Sequence, residues 1–281
     1  METLDVGVLH PGAMGAQVAA QAVAAGHRVH WLPRGRGEAT RARAESAGLL
    51  AADGVSALAE TCDVIISVCP PAAAREVAES VAATSFAGVY LEANAISPGH
   101  TEEISGLLDA RGVVVVDGGI VGPPPRQADS TILYVSGNDD AVGVVGRVFE
   151  GSFLTVRGLG EQVGKASALK LAFASYNKIS FVLAAQACAL AAGHGVLEDL
   201  LQLGGEALAD TPLGRPESLA VAAARAWRWA PEMREIAEAC EKAGVSPDIA
   251  RNAAVLLENW DHYKDETGVP LDRLIADFTG F

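Results

Sequence analysis

A chain of 281 residues, half of them apolar and a fifth charged, is long enough for two domains with separate cores. Its formal charge of −14 and pI near 4.8 argue against nucleic acid and anionic membranes as partners, because an acidic surface repels phosphates and headgroups alike. Four separated cysteines (Cys62, Cys69, Cys188, Cys240), without a Cys-x-x-Cys pair or clustered histidines, suggest no metal site and no disulfide framework, and fit a cytoplasmic protein.

The start, Met1-Glu2-Thr3-Leu4-Asp5, enters a strand at once, without a charged-then-apolar leader. Residues 4–9 read as that strand and 14–25 as an Ala-rich helix. Further strands are expected at 28–32, 63–68, 88–91 and 113–116, with helices at 72–83 and 101–110 between the later ones. Continuous Val/Ile runs mark strands buried on both faces of a parallel sheet, and their alternation with helices predicts a doubly wound Rossmann domain. Strands at 131–136 and 153–156, around a helix at 140–149, close it. From residue 161 the sequence turns Ala/Leu/Glu-rich, with breaks at 193–195, 204–205, 211–216, 244–247 and 268–270, so five or so helices follow. The expected fold is α/β: a Rossmann domain over 1–160 and an all-helical domain over 161–281, joined by a long helix at 161–192. The most apolar stretch, 179–193, contains Gln186 and is too short to span a bilayer, so it reads as a buried helix.

Leu9-His10-Pro11-Gly12-Ala13-Met14-Gly15 separates the first strand from the first helix. A dinucleotide loop needs glycine where backbone approaches the pyrophosphate and where helix meets strand; Gly12 and Gly15 occupy those positions, and His10 replaces the first glycine of Gly-x-Gly-x-x-Gly. His10, Pro11, Gly12, Ala13 and Met14 are therefore candidate cofactor contacts. Cys69, Pro70 and Asn94, after the third and fourth strands, are further ones. The second strand ends in His30-Trp31-Leu32-Pro33-Arg34-Gly35-Arg36, which lacks the acidic residue that would bind a free ribose 2′-hydroxyl. Arg34 and Arg36 offer planar charged donors for a 2′-phosphate, so NADP(H) is the expected cofactor.

Three of the five lysines (Lys165, Lys170, Lys178) fall within fourteen residues of one predicted helix. Lys170, Phe173, Ala174, Asn177 and Lys178 follow i, i+3, i+4, i+7, i+8 spacing and share a face. A lysine on an otherwise apolar helix needs a polar destination: a reacting oxygen, or solvent reached by snorkelling.

Several motifs together resemble the β-hydroxyacid dehydrogenases, the group of 3-hydroxyisobutyrate dehydrogenase and relatives of 6-phosphogluconate dehydrogenase. Besides the Gly-Ala-Met-Gly loop and Ala25-Gly26-His27, these are Leu91-Glu92-Ala93-Asn94-Ala95-Ile96-Ser97-Pro98, Asp117-Gly118-Gly119-Ile120-Val121-Gly122-Pro123 and Gly164-Lys165-Ala166-Ser167-Ala168-Leu169-Lys170. They are similar to the family's Asp-x-Ser-Thr-x-x-Pro loop, its Asp-Ala-Pro-Val-Ser-Gly-Gly substrate loop and its Gly-x-Gly-x-x-x-Lys segment. The resemblance implies an NADP-dependent oxidoreductase and a homodimer, with Lys170 as catalytic acid/base. Asn177 stands in for family asparagines replaced here by Phe173 and Ala174. Gly119, Val121, Gly122, Phe173 and Trp229 are candidate substrate contacts. Val121 and Pro123 remove a hydroxyl and an N–H from the loop that would cradle a carboxylate. Ala226-Trp227-Arg228-Trp229, followed by Glu232-Met233, is similar to a bacterial side branch whose C-terminal domain has no assigned function. Imine reductases share this architecture and commonly carry Asp or Tyr at the position of Lys170; a non-catalytic NADPH-binding protein is the other alternative.

Overall fold

The computed structural model describes residues 2–279 and divides into two compact units, the first ending at Lys170 and the second starting at Leu171. The first unit holds one eight-stranded sheet: β1 (Asp5–Val8), β2 (Arg28–Trp31), β3 (Leu50–Ala51), β4 (Val64–Ser67), β5 (Val89–Glu92), β6 (Val114–Val121), β7 (Thr131–Gly137) and β8 (Leu154–Gly158). Their order across the sheet is β3-β2-β1-β4-β5-β6-β7-β8. β1 to β6 run parallel, β7 returns antiparallel along β6, and β8 pairs parallel with β7.

Helices α1 (Ala13–Ala24), α2 (Glu38–Ser46), α3 (Val55–Thr61), α4 (Ala74–Ala82), α5 (Pro98–Asp109) and α6 (Asp139–Val148) connect these strands. Alternation explains the two layers. Val64, Ile66 and Leu91 enter a core with Val18, Ala22 and Val145 of α1 and α6, whereas Ile65, Tyr90 and Val115 enter one with Val77, Val81 and Ile104 of α4 and α5. Both faces are covered, so the strands carry unbroken apolar runs, as expected from the sequence.

β3, α2 and α3 lie outside the elements predicted. β3 is two exposed residues, and α2 and α3 each bury a single side chain (Ala44, Leu58), so none carries a readable periodicity. β6 runs on to Val121 instead of ending near 116. Its second half pairs with β7, and Gly118 and Gly119 hide it, because glycine is a poor strand former.

α7 (Lys165–Gly193) starts in the first unit and continues into the second, with α8 (Leu197–Ala207), α9 (Ser218–Ala223), α10 (Ala226–Lys242), α11 (Asp248–Glu258) and α12 (Leu271–Ala276). Cys188, Leu219, Met233, Leu257 and Trp260 centre the second core, and the Trp260 indole donates to the Leu274 carbonyl at 3.0 Å. No break occurs at 204–205. Both glycines lie inside α8, and Gly204 is buried because the Leu213 carbonyl packs where its Cβ would stand, 2.9 Å away. Among the described residues no helix is long and apolar enough to cross a membrane.

Candidate functional site

β1 lies between β2 and β4, so its crossovers leave in opposite directions and open a crevice at the strands' C-terminal ends. The predicted loop sits there. Gly12 is the N-cap of α1 and offers no side-chain capping bond, and a Cβ at Gly12 would meet nothing within 4 Å. At Gly15 a Cβ would overlap the His10 carbonyl oxygen, so only glycine lets helix and strand pack this closely. Pro11 is buried, Gly12 and Met14 are half-buried and Ala13 is exposed.

Arg36 reaches this loop and Arg34 stays exposed. Arg36 donates to the Leu9 carbonyl at 3.2 Å, while its Nε is buried and finds no hydrogen-bond partner among the described residues. His10 Nδ1 is buried and unpartnered in the same way. Burial, and secondarily the Arg36 charge, holds His10 down to about 4, so its ring is neutral at pH 7. An uncapped helix N-terminus, an open glycine and two orphaned nitrogens fit the phosphates of a dinucleotide.

At the end of β4 the Cys69 N–H donates to Asn94 Oδ1, and Asn94 Nδ2 donates to Ser67 Oγ at 3.0 Å. Burial pushes the Cys69 thiol up to about 12, so it stays protonated. Pro70 is exposed beside it.

The next strand ends form a row. Ser67, Glu92, Asp117 and Ser136 are in register across β4, β5, β6 and β7, and all four are buried. They project toward the α4–α5 side, continuing the rank of Ile65, Tyr90 and Val115. Asp117 Oδ2 accepts from Ser136 Oγ (3.0 Å) and from the N–H groups of Ala166 (2.8 Å) and Ser167 (3.0 Å); Oδ1 accepts from Ser167 Oγ (2.6 Å). Two of those donors belong to the first turn of α7, whose N–H groups have no intrahelical partner and favour an anion. The Thr101 hydroxyl of α5 lies 3.0 Å from Ser167 Oγ.

Two residues beyond Asp117, a Cβ at Gly119 would stand 2.6 Å from the Ala166 carbonyl oxygen and 3.1 Å from Lys170 Cβ. Gly119 therefore lets α7 lie directly on β6 with the half-buried Lys170 over that strand. Val121 is half-buried on the same strand face. Gly122 (φ 124°) and Pro123 turn outward, and the Pro125 carbonyl is held by Gln21 Nε2 of α1 at 2.9 Å.

Residues 5–152 match the model of the NAD binding domain of 6-phosphogluconate dehydrogenase, more than half of the chain. The chain belongs to this family. Residues 191–260 match a second model, Domain of unknown function (DUF1932). Solved structures of the same fold include 3-hydroxyisobutyrate dehydrogenase from Salmonella typhimurium, 18% identical over 97% of this chain and 99% of that one (TM-score 0.76). The Mycobacterium tuberculosis 3-hydroxyisobutyrate dehydrogenase with L-serine is 17% identical over 99% and 100% (TM-score 0.73). A reductive aminase from Aspergillus terreus, in complex with NADPH and ethyl levulinate, is 22% identical over 99% and 100% (TM-score 0.62).

The first unit holds the cofactor candidates together with Gly119, Val121, Gly122 and Lys170. The remaining candidates lie in the second unit. Phe173 and Asn177 are exposed on α7, and Ala174 is buried. Lys178, half-buried, is ion-paired with Glu232 of α10. Trp229 tilts against Phe181 with ring centroids 5.5 Å apart, and the Lys178 ammonium lies 5.4 Å over it. Glu92 and Asp117 lie inside two of the family-like motifs, and neither is among the candidate residues read from the sequence. The available signal was an acidic residue closing an apolar run, Val89-Tyr90-Leu91-Glu92 and Val114-Val115-Val116-Asp117.

Proposed function

We propose that this chain is an NADPH-dependent reductase, or reversible dehydrogenase, of a small carbonyl or hydroxy compound, with Lys170 as acid/base. The observation that carries the reading is Lys170 seated over Gly119 on a helix clamped by Asp117, in the same unit as the dinucleotide loop. A nicotinamide cofactor would supply the hydride. Lys170 would stabilise the negative charge that develops on the substrate oxygen and donate the proton that completes the alcohol. The loop backbone from His10 to Met14 would hold the pyrophosphate, with Cys69, Pro70 and Asn94 beside it. Gly119, Val121, Gly122, Phe173 and Trp229 remain the proposed substrate contacts, and Asn177 the proposed partner of Lys170. Purified protein offered NADPH with aldehydes, keto acids, ketones and cyclic imines tests this reading. Turnover of imines alone would make it an imine reductase, and no turnover at all would leave a non-catalytic NADPH-binding protein.

Arg36 against the loop and the absence of an acidic residue at the end of β2 favour a 2′-phosphate. NADPH is expected to bind at least about tenfold more tightly than NADH, since a charged phosphate contact is worth about 1.5–3 kcal/mol. Fluorescence titration with both cofactors checks this, and equal affinities overturn it.

A homodimer is part of the proposal. Leu169, Phe173, Tyr176, Leu183 and Leu190 are exposed along α7 at spacings of three, four and seven, a continuous apolar stripe. Sedimentation at micromolar concentration should give a dimer; a 28.9 kDa monomer contradicts the proposal. The four cysteines are free thiols, which fits a cytoplasmic site of action.

A further inference from the structure

Two buried carboxyl groups face the same side of adjacent strands. Glu92 and Asp117 are register partners on β5 and β6, and neighbouring parallel strands run about 4.8 Å apart. Their surroundings differ. Asp117 accepts four hydrogen bonds, every one from a donor, and so holds a negative charge. Glu92, 1% exposed, accepts one bond at Oε1, from the Asn94 N–H at 3.0 Å. Its Oε2 is buried and has no partner among the described residues; the hydroxyl of Tyr90, one alternation back, is unpartnered too. A bare carboxylate oxygen so placed is costly, and two like charges on adjacent strands are costlier still.

We propose that Glu92 is the proton-holding partner of Lys170: a positioning residue that rests as the neutral acid and restores the lysine ammonium after each transfer. The proposal rests on the reductase reading. The fold sets the groups at neighbouring positions, where the Lys170 charge acts on Glu92. Asp117 and Gly119 lie on one face of β6, Glu92 stands beside Asp117 on that face, and Lys170 Cβ lies over Gly119. Lys170 breaks an Nζ–H bond to complete the substrate hydroxyl. The Oε2–H bond of Glu92 then breaks, a new Nζ–H bond forms, and glutamate faces an ammonium ion. A proton from water, the one the reduction consumes, returns Glu92 to the acid.

The ionisable groups acting on Glu92 are Asp117 from β6 and Lys170 from α7, and Glu92 in turn acts on Cys69 after β4 and on Tyr90 of its own strand. From α5 the cluster receives the uncharged Thr101 hydroxyl. Burial first, and the Asp117 charge next among the groups that raise it, moves the Glu92 carboxyl up to about 8; the Asn94 hydrogen bonds and the Lys170 ammonium work in the other direction. Asp117 thus serves twice, as the anchor of α7 and as a charge that adds to the effect of burial on its neighbour.

The full-length protein allows a test without substrate. Infrared titration of the wild type should show a carboxylic-acid C=O band at pH 7 that disappears with a midpoint near 8; its absence at pH 7 overturns the proposal, whether or not any variant folds. Pulse acetylation with acetic anhydride, read peptide by peptide, then follows the Lys170 amine against pH. Above pH 8 the wild-type glutamate stabilises the ammonium, so Glu92→Gln should move Lys170 reactivity to lower pH by about one unit while Lys242 stays put. Identical profiles overturn the coupling. Folding stability supplies the fold control. A carboxyl that keeps its proton longer when folded contributes stability below about pH 4.5 and loses it by pH 8, so the wild type should weaken relative to Glu92→Gln across that window. With a substrate from the carbonyl screen, Glu92→Gln should lower kcat at unchanged KM and remove the decline through pH 8; an unaltered kcat profile overturns the proton-return step. Coupled labelling without any NADPH turnover would instead sink the reductase reading alone.

Discussion

Lys170→Met is expected to lower kcat by about 100-fold or more while the protein stays folded and binds NADPH as before. A positioned proton donor contributes roughly 10²–10⁴ in rate, and methionine removes the ammonium but keeps an unbranched stem. The packing of α7 on β6 should survive, because Lys170 meets Gly119 through its Cβ, which methionine keeps. Cofactor affinity should be unchanged, since the loop after β1 is held by its own contacts at His10, Gly15 and Leu9. Steady-state kinetics on the best substrate of the screen, with NADPH titration as control, decides the matter. Lys178→Met is the matched comparison. Its charge is engaged by Glu232, so its loss should cost stability first and activity only through the fold. If Lys178→Met, still folded, loses more activity than Lys170→Met, the acid/base has been assigned to the wrong lysine.

Asp117→Ala should be the most destabilising single change at this site, by on the order of 3–5 kcal/mol. The carboxylate is fully buried and is the shared acceptor for two backbone N–H groups of α7 and two serine hydroxyls. Alanine leaves those donors in a cavity, apart from a 3.2 Å contact between the Ala166 N–H and Ser136 Oγ. The melting temperature should fall by roughly 10 °C for a unit of this size. Asp117→Asn should fare only slightly better, because its amide nitrogen would point a donor at donors. Thermal unfolding of both variants beside Lys170→Met separates the two effects: the Asp117 variants lose stability, and Lys170→Met loses rate. An Asp117→Ala protein as stable as the wild type would mean that α7 is held by its apolar contacts and that the capping carboxylate is dispensable.

Much of this protein was legible in the sequence because short-range periodicity determines it. Unbroken Val/Ile runs can exist only where both faces of a strand are covered, so β1, β4 and β5 and the doubly wound order were readable. Gly12 and Gly15 were readable because a strand–glycine–helix turn admits few alternatives, and the Ala-rich texture after residue 161 announced helices. Elements with little to bury left no such trace, which is why β3, α2 and α3 went unseen, and Gly204 and Gly205 mimicked a break because a glycine that stops a helix and one that admits a neighbour are spelled alike. Tertiary structure alone decided the chemistry of the polar row. Ser67, Glu92, Asp117 and Ser136 are separated by 25, 25 and 19 positions, and only the register of four strands sets them side by side. Whether a buried carboxyl is charged or neutral depends on donors that other segments bring. Ala166 and Ser167 of α7 reach Asp117 from about fifty residues away, while Glu92 Oε2 receives no partner among the described residues. A local pattern can mark a residue as acidic and buried, but its protonation state is a property of the neighbours that folding assembles.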